Sequence, residues 1–141
     1  MLAMMERRTE TLLDRLPPVR GRIEADAPLA AQSWFRVGGP AEILFRPADA
    51  DDLAAFLVRL PVDVPLTVIG IASNLLIRDG GIPGVVIKLG PQFAAIRCDG
   101  MRVTAGAAAL DMNVAKAAAQ AGIGGLEFMA GIPGSVGGGV R

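Results

Sequence analysis

The chain has 141 residues, a formal net charge of zero, 52% apolar and 20% charged content, 18 glycines and 10 prolines. That balance belongs to a globular protein rather than a disordered tail, and one domain of this length buries roughly 70% of its unfolded-chain surface. Fourteen basic residues against fourteen acidic ones, with no long basic run, argue against nucleic acid or an anionic membrane as the main partner.

The opening stretch, MLAMMERRTETLLDRLPP, interrupts its apolar residues with Glu6, Arg7, Arg8, Glu10, Asp14 and Arg15, so it lacks the unbroken apolar run of a signal peptide. No stretch approaches the roughly 20 apolar residues that span a bilayer. A cytoplasmic location is expected, and the single cysteine, Cys98, suits a reducing compartment because it has no intrachain partner. With no histidine, the chain has neither a Ser-His-Asp nor a Cys-His nucleophile, and no metal site is expected.

Leu12, Leu13 and Leu16 form an apolar stripe at helical spacing, which Pro17 and Pro18 stop. Residues 41–46, AEILFR, read as a strand, and Asp49 caps a helix whose Leu53, Phe56, Leu57 and Leu60 share one face. After Pro61 and Pro65, the apolar run LTVI at 66–69 predicts a strand of a sheet covered on both faces. The strand-helix-strand order implies a parallel, right-handed crossover. GVVIKL at 84–89 is another buried strand, and FAAIRCDG with MRVTAGA forms a hairpin turning at Asp99-Gly100. Leu110, Val114, Ala117, Ala118 and Ala121 trace a helix that starts near Asp111 and ends at Gly122. The last twenty residues hold eight of the glycines and read almost entirely as loop.

The expected organisation is therefore an N-terminal helix and lead-in at 1–30, a first α/β unit at 31–91 and the start of a second α+β unit at 92–141. A hairpin with so few partner strands is marginal on its own, so the chain is expected to be truncated.

Two glycine-rich loops carry the chemistry. Gly70-Ile71-Ala72-Ser73-Asn74 follows a strand directly, where backbone N–H groups could turn toward a pyrophosphate; taken alone, the pentapeptide reads first as an ordinary strand-to-loop turn. It is not a Rossmann fingerprint, and the chain has no P-loop. Gly131-Ile132-Pro133-Gly134-Ser135-Val136-Gly137-Gly138-Gly139 spaces Gly131, Gly134 and Gly137 three apart, a pattern that admits positive φ and the close approach of a flat ligand, or else a tight corner between sheets. Ser135 has no base nearby and reads as a turn-capping residue. Trp34 and Phe35 read as packing residues, and Arg36 and Glu127 as solvated ones.

Taken in order, SWFRVGGPAEILFRP, GIASNLLIRDGGIPGVVIKL and AGAAALDMNVAKAAAQAGIGGLEFMAGIPGSVGG resemble the UDP-N-acetylenolpyruvoylglucosamine reductase (MurB) family of peptidoglycan synthesis over residues 31–141. The resemblance implies an α+β, PCMH or vanillyl-alcohol-oxidase type FAD-binding domain whose two α+β subdomains grip FAD, the second of them incomplete here. By motif, Gly70, Ile71, Ala72, Ser73, Asn74 and Leu75 would lie against the pyrophosphate. Gly131, Ile132, Pro133, Gly134, Ser135, Gly137 and Gly138 would run along the ribityl chain and ring. Ala72 departs from the glycine usual before the Ser-Asn pair, and its methyl would crowd the turn if φ there is positive.

The resemblance further implies non-covalent FAD, NADPH as hydride donor and a nucleotide-sugar substrate. The family's proton-donating serine and its carboxylate-polarising arginine and glutamate lie beyond the glycine-rich loop, so no catalytic residue is expected in this chain, Ser135 and Arg141 included. A non-catalytic FAD- or nucleotide-binding module is the alternative reading.

Overall fold

The computed structural model describes residues 10–141; residues 1–9, the front of the expected N-terminal helix and lead-in, lie outside the described residues. The leucine stripe forms a single 3-10 turn, Leu12–Arg15, because Pro17 and Pro18 leave no room for a longer helix. Strands β1 (Arg22–Ala27), β2 (Ala41–Arg46), β3 (Leu66–Ile69) and β4 (Ile82–Lys88) form one sheet in the order β1-β2-β4-β3. Strand β1 is antiparallel to β2, whereas β2, β4 and β3 are mutually parallel. The connection from β2 to β3 is therefore parallel, as read, with β4 inserted between the two strands.

Strand β4 is the fully covered one: Val85, Val86 and Ile87 are buried. The expectation that LTVI is covered on both faces is corrected, because β3 lies at the sheet edge and leaves Leu66 and Val68 exposed. Side chains alternate across the sheet as strand geometry requires. Ile43, Phe45, Val85 and Ile87 face helix α1 (Ala50–Arg59), where the Phe45 and Phe56 rings lie 4.4 Å apart between centroids. Leu44 and Val86 point to the other face, under Leu29, Leu75 and Ile77.

The start of α1 ties the sheet to the N-terminal lead-in. Asp49 is the N-cap as read, accepting the Asp52 N–H at 2.8 Å. The buried Asp52 carboxylate accepts the N–H groups of Arg20, Gly21 and Ala48 at 2.8–2.9 Å. Burial pushes this carboxyl group up, but the three backbone donors outweigh it and hold its pKa below the ordinary carboxylate value.

Beyond residue 91 come an antiparallel hairpin, β5 (Ile96–Asp99) and β6 (Arg102–Ala105), and helix α2 (Asp111–Gln120). Asp99 pairs with Arg102, so the loop is Gly100-Met101, one residue later than the Asp99-Gly100 turn read from the sequence. The last segment is not almost all loop. It contains a 3-10 turn, Glu127–Gly131, and a short helix α3, Val136–Val140.

Candidate functional site

Strand β3 ends at Ile69 and the chain turns at once into residues 70–75. Ala72 adopts φ +54°, the left-handed conformation in which its methyl group is crowded, and its carbonyl accepts the Trp34 N–H at 3.2 Å. Among the described residues, the backbone N–H groups of Ile71, Ala72, Ser73 and Asn74 donate no hydrogen bond. Four consecutive donors are thus left at the end of a strand, an arrangement suited to an anion.

The second loop is fixed by its backbone. The Asp111 N–H donates to the Gly134 carbonyl, the Val136 N–H to Ala109 and the Gly137 N–H to Ala107, at 2.9–3.0 Å, and Leu110 bridges Ser135. These bonds stitch residues 134–137 along the segment leading into α2. The positive φ expected for Gly131, Gly134 and Gly137 does not occur; none of them is in the left-handed region. What the loop requires is space, since a Cβ on Gly137 would lie 3.0 Å from the Ala107 carbonyl oxygen.

The two loops, sixty residues apart in sequence, meet across a cavity of about 340 Å³. A Cβ placed on Gly70 would come within 2.8 Å of the Ser135 Oγ. Ser135 is only 4% exposed, its hydroxyl has no hydrogen-bond partner among the described residues, and it borders that cavity. No buried side-chain oxygen or nitrogen among the described residues lacks a partner, so this Oγ is itself accessible, and solvent or a ligand in the cavity can engage it. Ser135 is also the N-cap residue of α3, but its side chain makes no capping bond, contrary to the turn-capping role read for it.

Of the residues singled out from the sequence, Gly70, Ile71, Ser135, Gly137 and Gly138 line the cavity. Ala72, Ser73, Asn74, Leu75, Gly131, Ile132, Pro133 and Gly134 do not; Leu75 instead packs on the sheet. Trp34 and Phe35 are exposed rather than packed, a correction to the reading above, and Glu127 is exposed as expected, at the start of the 3-10 turn rather than in a loop, accepting the Gly125 N–H.

Sequence reasoning missed Lys88, Leu89 and Ala108, which line this cavity and also a second one of about 550 Å³ reached by Arg46 and Asn113. Lys88 and Arg46 both donate to the Gln32 Oε1, at 2.9 and 2.8 Å. Burial, and secondarily the Arg46 charge, pushes the Lys88 pKa below the ordinary lysine value. The signal that could have found this pair was positional: each cation is the last residue of a strand in the parallel part of the sheet.

Residues 41–141 match a family model described as FAD binding domain. The chain is 63% identical over 133 residues to the UDP-N-acetylenolpyruvoylglucosamine reductase of Parvibaculum lavamentivorans, a match covering 94% of this chain and 43% of that protein. It is 60% identical over 130 residues to the protein of the same name from Rhodospirillum rubrum, covering 92% and 41%. Among solved structures it resembles the crystal structure of UDP-N-acetylenolpyruvylglucosamine reductase (MurB) from Thermus caldophilus, with a TM-score of 0.69 and 35% identity over 86% of this chain and 42% of that one. The chain thus spans less than half the length of the curated relatives it matches.

Proposed function

Because the chain belongs to the FAD binding domain family, we propose that it holds FAD, non-covalently, in the cavity between the Gly70–Leu75 and Gly131–Gly138 loops, within an enzyme that reduces UDP-N-acetylglucosamine enolpyruvate at the expense of NADPH. The observation that carries the cofactor part is the meeting of Gly70 with Ser135: the two loops close on the cavity there, and a Cβ on Gly70 would come within 2.8 Å of a hydroxyl that is open to it. Its volume falls in the range of small-molecule sites, roughly 300–1,000 Å³. The residues present therefore fit the group.

In this reading the 70–75 loop presents backbone donors to the pyrophosphate, Ser135 offers a hydroxyl, and Val68 and Leu89 keep water from the apolar part of the ligand. Bound FAD would supply the hydride relay between NADPH and the enolpyruvyl double bond. The reductase activity rests on the likeness to the two bacterial reductases and to the Thermus structure. Residues 31–91 and 92–141 would act as the two walls around the cofactor. A cytoplasmic location, where soluble NADPH and nucleotide sugars are available, belongs to the same proposal.

The chain's own role is to bind and orient, and the 141 residues alone are expected to bind FAD without turnover. Flavin fluorescence titration tests the first part, and NADPH oxidation with the enolpyruvyl substrate and added FAD tests the second. Absence of flavin binding would overturn the proposed site. Substrate-dependent turnover would show that this chain contains the catalytic groups after all.

A further inference from the structure

The segments 33–39 and 70–78 are fastened to each other along the main chain: the Trp34 N–H donates to the Ala72 carbonyl at 3.2 Å and the Gly39 N–H to the Arg78 carbonyl at 2.9 Å. Leu75 and Ile77 anchor the second segment on the sheet, and Gly38 lies against Ile77, where a Cβ would come within 2.5 Å of the Ile77 Cβ. Arg36 and Ala72, one in each segment, hold left-handed φ values of +53° and +54°, which a non-glycine residue keeps only where its surroundings fix it. The backbone of both segments is therefore set. Between these anchors the side chains of Trp34, Phe35, Val37, Ile71 and Leu76 are nonetheless apolar and exposed, Trp34 at 73% and Leu76 at 71%. A single exposed apolar side chain is ordinary, whereas several on two tied segments form a patch of the kind that marks a contact surface. Its two aromatic residues belong to the class enriched at the centre of protein interfaces.

Size and place indicate what covers it. The matches to the two curated reductases take in 43% and 41% of those proteins, so more than half of a whole reductase lies outside the matched region. Ile71 belongs both to the patch and to the lining of the 340 Å³ cavity, so a body seated on the patch stands at the edge of that cavity. An apolar surface on a fixed backbone suits a permanent contact, since lasting interfaces are the more hydrophobic ones. We infer that the surface formed by Trp34, Phe35, Val37, Ile71 and Leu76 is the seat of the part of a full-length reductase that lies outside the match. The inference rests on the reductase reading above for the identity of that part, and it is independent of which ligand fills the cavity.

Cysteine labelling tests the seat. Phe35→Cys, Leu76→Cys and, as a control, Val62→Cys at a fully exposed position are made in the 141-residue chain, and cysteines are placed at the three aligned positions of the whole Parvibaculum reductase, with thermal melting of every protein to report that it is folded. Maleimide modification is followed peptide by peptide, which separates each probe from Cys98. The expected result is rapid labelling of all three probes in the 141-residue chain. In the whole reductase, labelling should slow by roughly tenfold or more at the positions of Phe35 and Leu76 and stay unchanged at that of Val62. Equal labelling of the chain and the whole reductase at either Phe35 or Leu76 overturns the seat, and so does equal slowing at Val62. Protection that grows with the concentration of the 141-residue chain assigns the patch to a second copy and overturns the seat as well. Protection of the chain by added FAD alone makes the patch part of the ligand site, with the same consequence. Protection in the whole reductase, together with failure of the chain to bind FAD, retains the seat and overturns the flavin reading.

Discussion

Replacing Gly70 by valine separates the cofactor site from the fold. Gly70 is not in the left-handed region, so a side chain there is conformationally permitted. Its Cβ would meet Ser135 alone within 4 Å, at 2.8 Å from the Oγ and 4.0 Å from the Cβ. The folded state therefore needs only to turn aside one unpartnered hydroxyl, which places the destabilisation at the low end of the range of about 1–3 kcal/mol for overpacking. A loss of about 1 kcal/mol lowers the melting temperature by a few degrees in a domain of this size. Gly70 also lines the 340 Å³ cavity where the two loops meet, so the larger side chain is expected to narrow the cavity at that wall. Displacing a ligand from one such wall forfeits hydrogen bonds of about 1.5–3 kcal/mol each, or roughly 10- to 100-fold in dissociation constant. Flavin fluorescence titration and thermal melting of the same preparations measure the two effects. Combining Gly70→Ala with Ser135→Ala should relieve the collision, so the pair is expected to couple in a double-mutant cycle. Unchanged flavin affinity in Gly70→Val would refute the assignment of this wall to the cofactor. A collapse in melting temperature would refute the claim that a single hydroxyl stands in the way.

Ala72→Gly should change stability by less than about 1 kcal/mol: relief of a left-handed alanine, about 1–2 kcal/mol, offsets a lost methyl of about 0.8 and added chain entropy of about 0.5–1. Ala118→Gly, inside α2 and also buried, should cost about 2 kcal/mol, and urea titration of both variants checks the contrast. Asp52→Ala should cost about 3 kcal/mol, because three backbone N–H groups lose a charged acceptor. Since the folded-state pKa of Asp52 lies below its unfolded value, its contribution is present above about pH 4 and is lost as the pH falls through the folded pKa. Acid melts should therefore show a wild-type decline below that pH that is smaller in Asp52→Ala.

The parts of the fold that were legible have strong local signals. AEILFR and VVIKL are apolar runs bounded by turn residues, and Asp49 before an amphipathic stretch is a cap. The strand RIEADA was not legible because it is an antiparallel edge strand with mostly exposed side chains, so no period-two apolar pattern survives in it. LTVI misled for the opposite reason. Its apolar residues suggested cover on both faces, yet as an edge strand it leaves Val68 uncovered, and that side chain lines the 340 Å³ cavity. Helix α3 escaped notice because VGGGV has almost no intrinsic helix propensity; backbone bonds from Val136 and Gly137 to residues 107–109 hold it in place.

The site follows the same logic, with composition marking the loops and backbone geometry deciding how they meet. The decisive residue lies inside a quoted motif but was given no role in the sequence reading. A Cβ on Gly106 would lie 2.0 Å from the Phe93 carbonyl oxygen, so only glycine lets the chain leave β6 flat against residues 93–95, where Gly106 and Ala108 donate N–H bonds to Ala95 and Phe93. That close passage presents the carbonyls of Ala107 and Ala109 to the second loop, which docks through Gly137 and Val136. Docking there sets Ser135 against Gly70 at the carboxyl end of β3, beside the end of β4 that carries Lys88. Most of these steps are main-chain contacts that, apart from the glycines, leave the side chains at the joined positions unspecified. The glycines are therefore visible in the sequence as loop formers, whereas the cavity they enclose becomes visible only once the hairpin, the start of α2 and the sheet edge are placed together.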